Sequence, residues 1–348
     1  MSNERTTTSL ARLGWRPHFS TQSAPDGDAV PVRILAVHRG LVEVAGEGFT
    51  GSVPVSGEVA SFALTVGDWA WLDTARARLI GRLQRLGEFR RIAAGTDSKI
   101  QYLAANVDTL FIVTSANRDF NVARLERYLS LASEGGAFPV IVITKADLVP
   151  DAEPYRLEAE RLKPGLLAET VDAREETSVA ILDSWCGEGQ TVALVGSSGV
   201  GKSTLVNTLT KSALATGSVR EDDQRGRHTT TGRSMHRLPA GGWLIDTPGM
   251  RELKLVEAGE GLADVFAEIE AMGERCRFGD CEHDGEPGCA VASAIEAGEL
   301  DGERLRRYRK LVAENRRHSE SVSVRRARER SLGKLYKSIL ADKHREKR

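Results

Sequence analysis

A glycine-rich segment followed by a lysine carries the clearest chemical signal in the sequence. The segment directly follows an apolar run over residues 191–195. Its members are Gly196, Ser197, Ser198, Gly199, Val200, Gly201, Lys202, Ser203 and Thr204. Glycines at this spacing let successive backbone N–H groups face phosphate oxygens, and the helix expected to begin here adds positive potential. With Lys202 at the β- and γ-phosphates as a catalytic cation and Ser203 as a Mg²⁺ ligand, the segment predicts binding of a nucleoside triphosphate.

Two further polar segments indicate which base is bound, because each follows an apolar run and offers hydrogen-bonding groups. Their members are Thr144, Lys145, Ala146, Asp147, Asp172 and Ala173. The Asp147 carboxylate can accept hydrogen bonds from guanine N1–H and the 2-amino group, whereas adenine would leave it partly unpaired. We expect the Lys145 stem along the base and the Ala173 N–H at the base oxygen. Together with the phosphate loop, this pattern favours GTP over ATP.

The segment after residue 225 carries the remaining groups that triphosphate hydrolysis requires. Asp246 is expected to hold Mg²⁺ through a water, and the Gly249 N–H to sense the γ-phosphate. Upstream, Thr230 is expected to offer its hydroxyl to Mg²⁺. His228 is the nearest side chain that could orient the attacking water. A contact of His228 with a binding partner or with solvent is an equally good interpretation. Met250 stands where Ras-type enzymes carry a water-orienting glutamine, so we expect slow hydrolysis by the isolated protein.

These groups need a sheet whose strands end at one edge. Apolar runs that predict buried strands lie at residues 108–114, 140–144, 166–171, 191–195 and 243–245. Helices are expected near residues 153–162, 178–186 and 202–210. The alternation predicts an α/β domain over residues 100–256, doubly wound around a mostly parallel sheet. Because the guanine segments precede the phosphate loop, the reverse of the order in small GTPases, the domain is predicted to be a circularly permuted P-loop GTPase.

Two regions of different composition precede this domain. Residues 1–30 are polar and lack periodicity, so they are expected to form a mobile N-terminal arm. Residues 31–95 contain five short β-type runs separated by turn residues, which predict a small barrel of the oligonucleotide-binding (OB) type. A barrel with a purely structural role is an equally good interpretation of these residues.

Three cysteines and a histidine lie close together in the sequence after the α/β domain. Cys276, Cys281, His283 and Cys289 supply three thiolates and one imidazole, the ligand set of a closed tetrahedral Zn²⁺ site with a structural role. The alternative is a group of reduced surface cysteines with a nearby histidine. The surrounding residues 257–311 are expected to form a helical zinc-knuckle domain. Cys186 stands alone in an apolar segment and is interpreted as a packing residue.

Composition limits the class of protein and points to a charged partner. The chain has 348 residues, 41% of them hydrophobic and 28% charged, and no apolar run approaches the length of a membrane span. Because the N-terminus shows no secretory signal pattern, we expect a cytoplasmic protein and neither a membrane nor a secreted one. Residues 301–348 carry 17 Lys and Arg against 7 Asp and Glu. The basic tail over residues 312–348 therefore indicates either a polyanionic partner or a solvated helical face.

The chain resembles the ribosome-small-subunit-dependent GTPase A family (RsgA, also called YjeQ) over about residues 32–311. The resemblance is carried by Ala104–Asp108, Thr144–Asp147, Gly196–Thr204, Gly226–Thr230, Asp246–Gly249 and Cys276–Val291. It implies an N-terminal OB barrel, a permuted GTPase domain and a C-terminal zinc domain, acting in late maturation of the small ribosomal subunit. It also implies that the subunit stimulates GTP hydrolysis and that the flanking domains contact rRNA. One departure is Asp172, where such GTPases commonly place a serine before the alanine.

The expected partners are therefore GTP and GDP, with Mg²⁺, and the small ribosomal subunit with its rRNA. A monomer that does not contact membranes is expected. Two other classes of protein stay open. One is an ATP-using P-loop enzyme, which would prefer ATP and tolerate Asp147→Asn. The other is an RNA-binding scaffold in which the nucleotide is only structural.

Overall fold

The structure is a computed structural model that describes residues 9–25, 28–55, 57–92, 100–211, 233–246, 250 and 259–316. The strands of these residues are β1 (Val30–His38), β2 (Leu41–Gly46), β3 (Phe49–Pro54), β4 (Trp69–Asp73), β5 (Arg78–Arg82), β6 (Glu88–Ile92), β7 (Ile100–Ala105), β8 (Thr109–Ser115), β9 (Phe138–Thr144), β10 (Leu167–Thr170), β11 (Thr191–Val195), β12 (Arg233–Arg237) and β13 (Trp243–Asp246). The helices are α1 (Pro17–Ser20), α2 (Val122–Glu134), α3 (Glu153–Glu160), α4 (Glu176–Val179), α5 (Lys202–Thr210), α6 (Gly259–Val265), α7 (Ala267–Gly273), α8 (Ala290–Glu296) and α9, which covers residues 302–316.

The chain divides into two compact units. One consists of Met1–Arg90 with Tyr102–Leu253, and the other of Arg91–Gln101 with Lys254–Arg348. Each unit is described by itself below. No helix among the described residues combines the length and hydropathy needed to cross a bilayer.

The core of the first unit is a parallel sheet in the strand order β10-β9-β8-β11-β13. Strands β8 and β11 are buried along their whole length, as expected for parallel strands covered on both faces. All five predicted strands of this sheet are present. Strand β12 adds antiparallel to β13 at the end of this array and was not predicted. Its sequence, Arg-Ser-Met-His-Arg, is too polar to show the pattern of a buried strand.

The topology places the phosphate-loop strand inside the sheet, between two parallel neighbours. Strand β11 pairs with β8, which precedes it in the chain, and with β13, which follows it. In an open parallel sheet, ligands bind beyond the carboxyl ends of the strands where the winding direction changes. The carboxyl ends of β8, β9, β10, β11 and β13 therefore mark one edge of the sheet as the candidate site.

Strands β1 to β5 form an antiparallel array at the N-terminal end of the chain. Strand β1 pairs with β2 and β4, β2 with β3, and β4 with β5. Alternate side chains from these strands build one apolar cluster that includes Val32, Val42 and Leu72. Strand β1 also pairs with β12 through Ala36 and Ser234, so this array continues the sheet of the α/β region. The five strands predicted within residues 31–95 are present as β1 to β5.

Residues 9–25 are packed, contrary to the mobile arm expected over residues 1–30. The side chains of Leu13 and Phe19 are buried, and the ring of Trp15 contacts Trp69 edge-on with centroids 4.8 Å apart. Isolated apolar residues in a polar segment give no periodic signal, because partners distant in the sequence bury them. Residues 1–8 lie outside the described part of the chain.

A second difference concerns the segment before β11. The helix predicted near residues 178–186 is α4 followed by a 3-10 turn over Ala180–Trp185. The predicted packing role of Cys186 agrees with its position in the core, where the side chain is fully buried.

The second unit has a small helical core. Phe266 and Ile269 are buried, and the Arg304 guanidinium lies 4.3 Å from the centroid of the Phe266 ring. Arg304 also donates from Nε to Glu268 Oε1 at 2.8 Å and from Nη2 to the Val265 carbonyl at 2.7 Å. These contacts join α9 to the α6–α7 region.

Candidate nucleotide site and metal centre

The phosphate loop after β11 has a backbone that requires glycine. The φ angles are +147° at Gly196, +82° at Gly199 and +95° at Gly201, all in the region that L side chains rarely adopt. A Cβ at Gly196 would lie 2.2 Å from the Val113 carbonyl oxygen of β8. The sharp turn after β11 is therefore possible only without a side chain at this position.

Lys202 lies inside the loop. Its Nζ donates to the carbonyl of Gly196 at 2.7 Å and also to the carbonyl of Ser197. The side chain is 7% exposed, which is unusual for a lysine and places the ammonium where the loop turns. Lys202 is also the first residue of α5, so the lysine and the N-terminus of a helix lie together at the end of the loop.

Thr144 connects the guanine segment to the phosphate loop. Its hydroxyl lies 2.5 Å from the Val200 carbonyl and 3.0 Å from the Thr114 carbonyl, and the residue is fully buried. The sequence assigned Thr144 to the nucleotide, but its side chain contacts the backbone beneath the loop. Its contribution to a bound nucleotide would therefore be indirect, through the position of the loop.

Arg124 is a site residue that the sequence analysis missed. It lies in the first turn of α2, where the Asn121 carboxamide oxygen accepts a hydrogen bond from its backbone N–H at 2.9 Å. Its Nη1 donates to the hydroxyl of Ser197 at 2.8 Å. The chain thus places a guanidinium beside the phosphate loop. The two residues are 73 positions apart, so only the fold brings them together.

The two guanine segments lie next to each other. Strands β9 and β10 pair in parallel, and the Val171 N–H donates to the Ile143 carbonyl at 2.9 Å just before the segments begin. Lys145 adopts the left-handed conformation with φ of +59°, which turns the chain sharply after β9. Asp147 is partly exposed, with 26% of its side chain accessible, so its carboxylate is available to a ligand.

The second guanine segment is fixed by contacts on both sides. The Ala173 carbonyl accepts a hydrogen bond from the Thr208 hydroxyl of α5 at 2.7 Å, and the Asp172 N–H donates to the Ser178 hydroxyl at 2.9 Å. Hydrogen bonds from Arg174 hold the pKa of the Asp172 carboxyl below its usual value. The same pairing raises the pKa of Arg174. Both groups are therefore charged at neutral pH.

The groups expected at the γ-phosphate are only partly described. Asp246 ends β13 and is half-buried, opposite Ser234 of β12. Met250 is buried, with 1% of its surface exposed. The other three candidates, His228, Thr230 and Gly249, lie outside the described residues, and their roles stay predictions.

Four ligand atoms converge in the second unit. The side-chain atoms of Cys276, Cys281, His283 and Cys289 all lie within 4.8 Å of one another. The Sγ atoms of Cys276 and Cys289 are 3.9 Å apart, and His283 Nδ1 lies 3.6 Å and 3.5 Å from them. Four ligands on a tetrahedron with Zn–S bonds of about 2.3 Å are separated by roughly 3.8 Å. The ligand set and its spacing therefore fit a tetrahedral metal ion.

The backbone around this cluster supports the same geometry. The N–H groups of Ala290 and Ala292 point at the sulfurs of Cys276 and Cys289, at 3.3 Å and 3.4 Å. The Glu286 carboxylate accepts from two backbone N–H groups of the loop, those of Glu282 and Asp284. Donors aimed at sulfur stabilise thiolates, the form that ligates a metal.

Sequence comparison identifies the family. The family described as RsgA GTPase matches residues 83–256. A protein of Vibrio parahaemolyticus, "Small ribosomal subunit biogenesis GTPase RsgA 2", is 47% identical over 97% of this chain and 94% of its own length. The chain belongs to the RsgA GTPase family. A second RsgA, from Mesorhizobium japonicum, is 47% identical over 94% of this chain and 95% of its own.

Two solved structures show a similar fold. YjeQ from Thermotoga maritima aligns with a TM-score of 0.60 at 23% identity, covering 82% of this chain and 98% of its own. YloQ, described as a circularly permuted GTPase, also aligns with a TM-score of 0.60, at 24% identity over 85% of this chain and 98% of its own. The permuted GTPase fold predicted from the order of the motifs is thereby confirmed.

Proposed function

We propose that this protein binds GTP, hydrolyses it to GDP and phosphate, and acts in maturation of the small ribosomal subunit. The observation that carries the proposal is the loop after β11, in which glycine-only turns surround the buried ammonium of Lys202. Membership of the RsgA family, whose curated relatives are named small ribosomal subunit biogenesis GTPases, supports the biological role.

In the proposed mechanism the chain contributes mainly position and charge. The loop N–H groups and the N-terminus of α5 hold the phosphates, and Lys202 moves from the loop carbonyls to the β- and γ-phosphate oxygens. Ser203 and Asp246, with Thr230, are the residues that would hold Mg²⁺. When bound, this ion neutralises the charge that develops between the β- and γ-phosphates.

Base selection is assigned to the guanine segments. Asp147 would accept from guanine N1–H and the 2-amino group, and the Ala173 N–H would donate to the base oxygen. Thr144 holds the first segment against the phosphate loop through the Val200 carbonyl. A shift of either segment would therefore move the base relative to the phosphates.

Hydrolysis is expected to depend on the ribosomal subunit. Methionine at position 250 cannot orient water, and Met250 is buried rather than directed at solvent. His228 and Gly249 are the remaining candidates within the chain, for water and for the γ-phosphate. We propose that contact with the subunit orders these groups and accelerates the reaction.

The flanking regions are proposed to bind rRNA. We assign residues 31–95 to an OB-type barrel, residues 100–256 to the GTPase domain and residues 257–311 to a domain held by structural Zn²⁺. Next to the metal ligands lies a cavity of about 710 Å³ whose lining includes Arg306, Arg309, Lys310 and Arg316. Such a basic cavity suits the phosphates of RNA, and the sequence over residues 312–348 is also rich in Lys and Arg. We propose that the protein works as a monomer in the cytoplasm, where ribosomal subunits mature.

Turnover of GTP with and without purified small ribosomal subunits tests the proposal. We expect slow turnover alone, stimulation by subunits and little turnover of ATP. Lys202→Ala should lower stimulated turnover about tenfold or more, because the variant loses the ammonium that the loop encloses. Lys211→Ala, at the other end of α5, is the matched control. Preference for ATP, or subunit binding by Lys202→Ala that is unchanged in every nucleotide state, would favour the ATP-using enzyme or the scaffold, respectively.

A further inference from the structure

Arg174 lies between the carboxylates of the two guanine segments. Its Nη2 donates to Asp147 Oδ2 at 2.6 Å and to Asp172 Oδ2 at 3.1 Å. Its Nε and its backbone N–H donate to Asp172 Oδ1 at 3.1 Å and 2.9 Å. One guanidinium thus connects the acid assigned to base recognition with an acid of the neighbouring segment.

The number of bonds differs between the two acids, and the difference suggests their roles. Asp172 accepts three hydrogen bonds from Arg174, including one from its backbone, whereas Asp147 accepts one. An arginine side chain loses rotamer freedom when it forms an ion pair, and a single exposed pair contributes too little to offset that loss. Asp172 fixes the guanidinium first, and the fixed guanidinium can then restrain Asp147.

We propose that Arg174, anchored by Asp172, is a positioning residue for guanine nucleotides that holds the Asp147 carboxylate in the orientation the base requires. The inference rests on the proposed function, because it assumes that Asp147 recognises the base. It also gives a role to Asp172. The resemblance to the family implied none, because such GTPases commonly have a serine at this position.

The stereochemistry of a carboxylate allows both partners at once. An ionised carboxylate has about four acceptor positions on its two oxygens. Arg174 uses one position on Oδ2, and guanine needs two for N1–H and the 2-amino group. Asp147 can therefore bind the base while its rotation is restrained by Arg174, and less of that freedom is lost when the nucleotide binds.

The first experiment titrates the full-length protein with fluorescently labelled GDP. For Arg174→Ala we expect the Kd to rise about three- to tenfold, the range for losing one charge-assisted hydrogen bond at a partly exposed site. Asp172→Asn should shift the Kd in the same direction by a smaller factor, because the anchor is weakened and not removed. Arg156→Ala, which breaks an exposed pair with Glu153 and Glu160 on α3, is the matched control and should leave the Kd unchanged.

The second experiment separates restraint of Asp147 from general support of the loop. Xanthine carries an oxygen in place of the 2-amino group, so Asp147→Asn should switch preference from GDP to XDP. In that background the side chain at position 147 is neutral, and Arg174→Ala should leave the Kd for XDP within twofold. An equal loss in both backgrounds would show that Arg174 only shapes the loop and would overturn the proposal.

Two further outcomes also contradict it. An unchanged Kd for GDP in Arg174→Ala would show that the contact is without consequence, and a lower Kd would show that Arg174 competes with the base. Failure of the proposed function looks different. In that case the wild-type protein would bind ADP as well as GDP, and Asp147→Asn would not switch preference.

Discussion

The phosphate loop and the Cys/His cluster each bring several atoms within a few ångströms, but different forces hold them in place. The loop follows β11, which is buried along its length between two parallel partners. The cluster lies in residues 274–289, which contain neither helix nor strand and are mostly exposed, Phe278 at 43%. The sheet supports the loop without a ligand, whereas the cluster has little buried apolar surface, so we expect its structure to depend on a bound metal ion.

The largest effect is therefore expected at the metal ligands. Replacing Cys276 by serine removes one of four ligands and should lose the ion, along with binding free energy on the order of 10 kcal/mol. The second unit should then become sensitive to protease near residues 274–289, while GDP binding by the first unit is retained. Zinc content measured by mass spectrometry and limited proteolysis with and without a chelator check this.

A thiol of different function provides the control. Cys186→Ala removes a cysteine from the core of the first unit and should leave the zinc content at one ion per chain. Retention of zinc and of protease resistance by Cys276→Ser would contradict the assignment of Cys276 as a ligand, and absence of zinc from the unsubstituted protein would contradict the assignment of the cluster as a metal centre.

A smaller and more local effect is expected in the phosphate loop. In Gly196→Ala the new Cβ would meet the Val113 carbonyl at 2.2 Å, so β8 or the loop must shift, and GDP binding should be lost. At Gly199 the φ angle of +82° is also positive, but a Cβ there meets no atom within 4 Å. Gly199→Ala should therefore cost only about 1–2 kcal/mol of stability. Thermal unfolding and GDP titration of both variants separate the effect of the steric clash at Gly196 from the effect of backbone strain alone at Gly199. Equal effects would show that the contact with Val113 is unimportant.

These differences also explain what the sequence could predict. The phosphate loop and the cluster were predicted because their residues are close in sequence and their types are restricted, as at Gly196 and Lys202. Arg124 and Arg174 were missed because an arginine on a helix or a turn has many possible partners. The packing of residues 9–25 was missed for a related reason, since Leu13 and Phe19 are buried by residues far along the chain. Sequence motifs specify the chemistry, and long-range contacts specify how it is held.

An effect comparable to that of Gly199→Ala is expected at the contact that joins the guanine segment to the loop. Thr144→Val keeps the shape of the side chain but removes the hydroxyl that lies 2.5 Å from the Val200 carbonyl. We expect a loss of about 1–3 kcal/mol of stability, because a buried carbonyl loses its donor. Thr144→Ser keeps the hydroxyl and should recover most of this loss. If the contact also sets the distance between base and phosphates, Thr144→Val should weaken binding of GDP but not of inorganic phosphate or free guanosine, each of which occupies one half of the site. Equal weakening of all three would mean that Thr144 stabilises the fold and does not align the two halves.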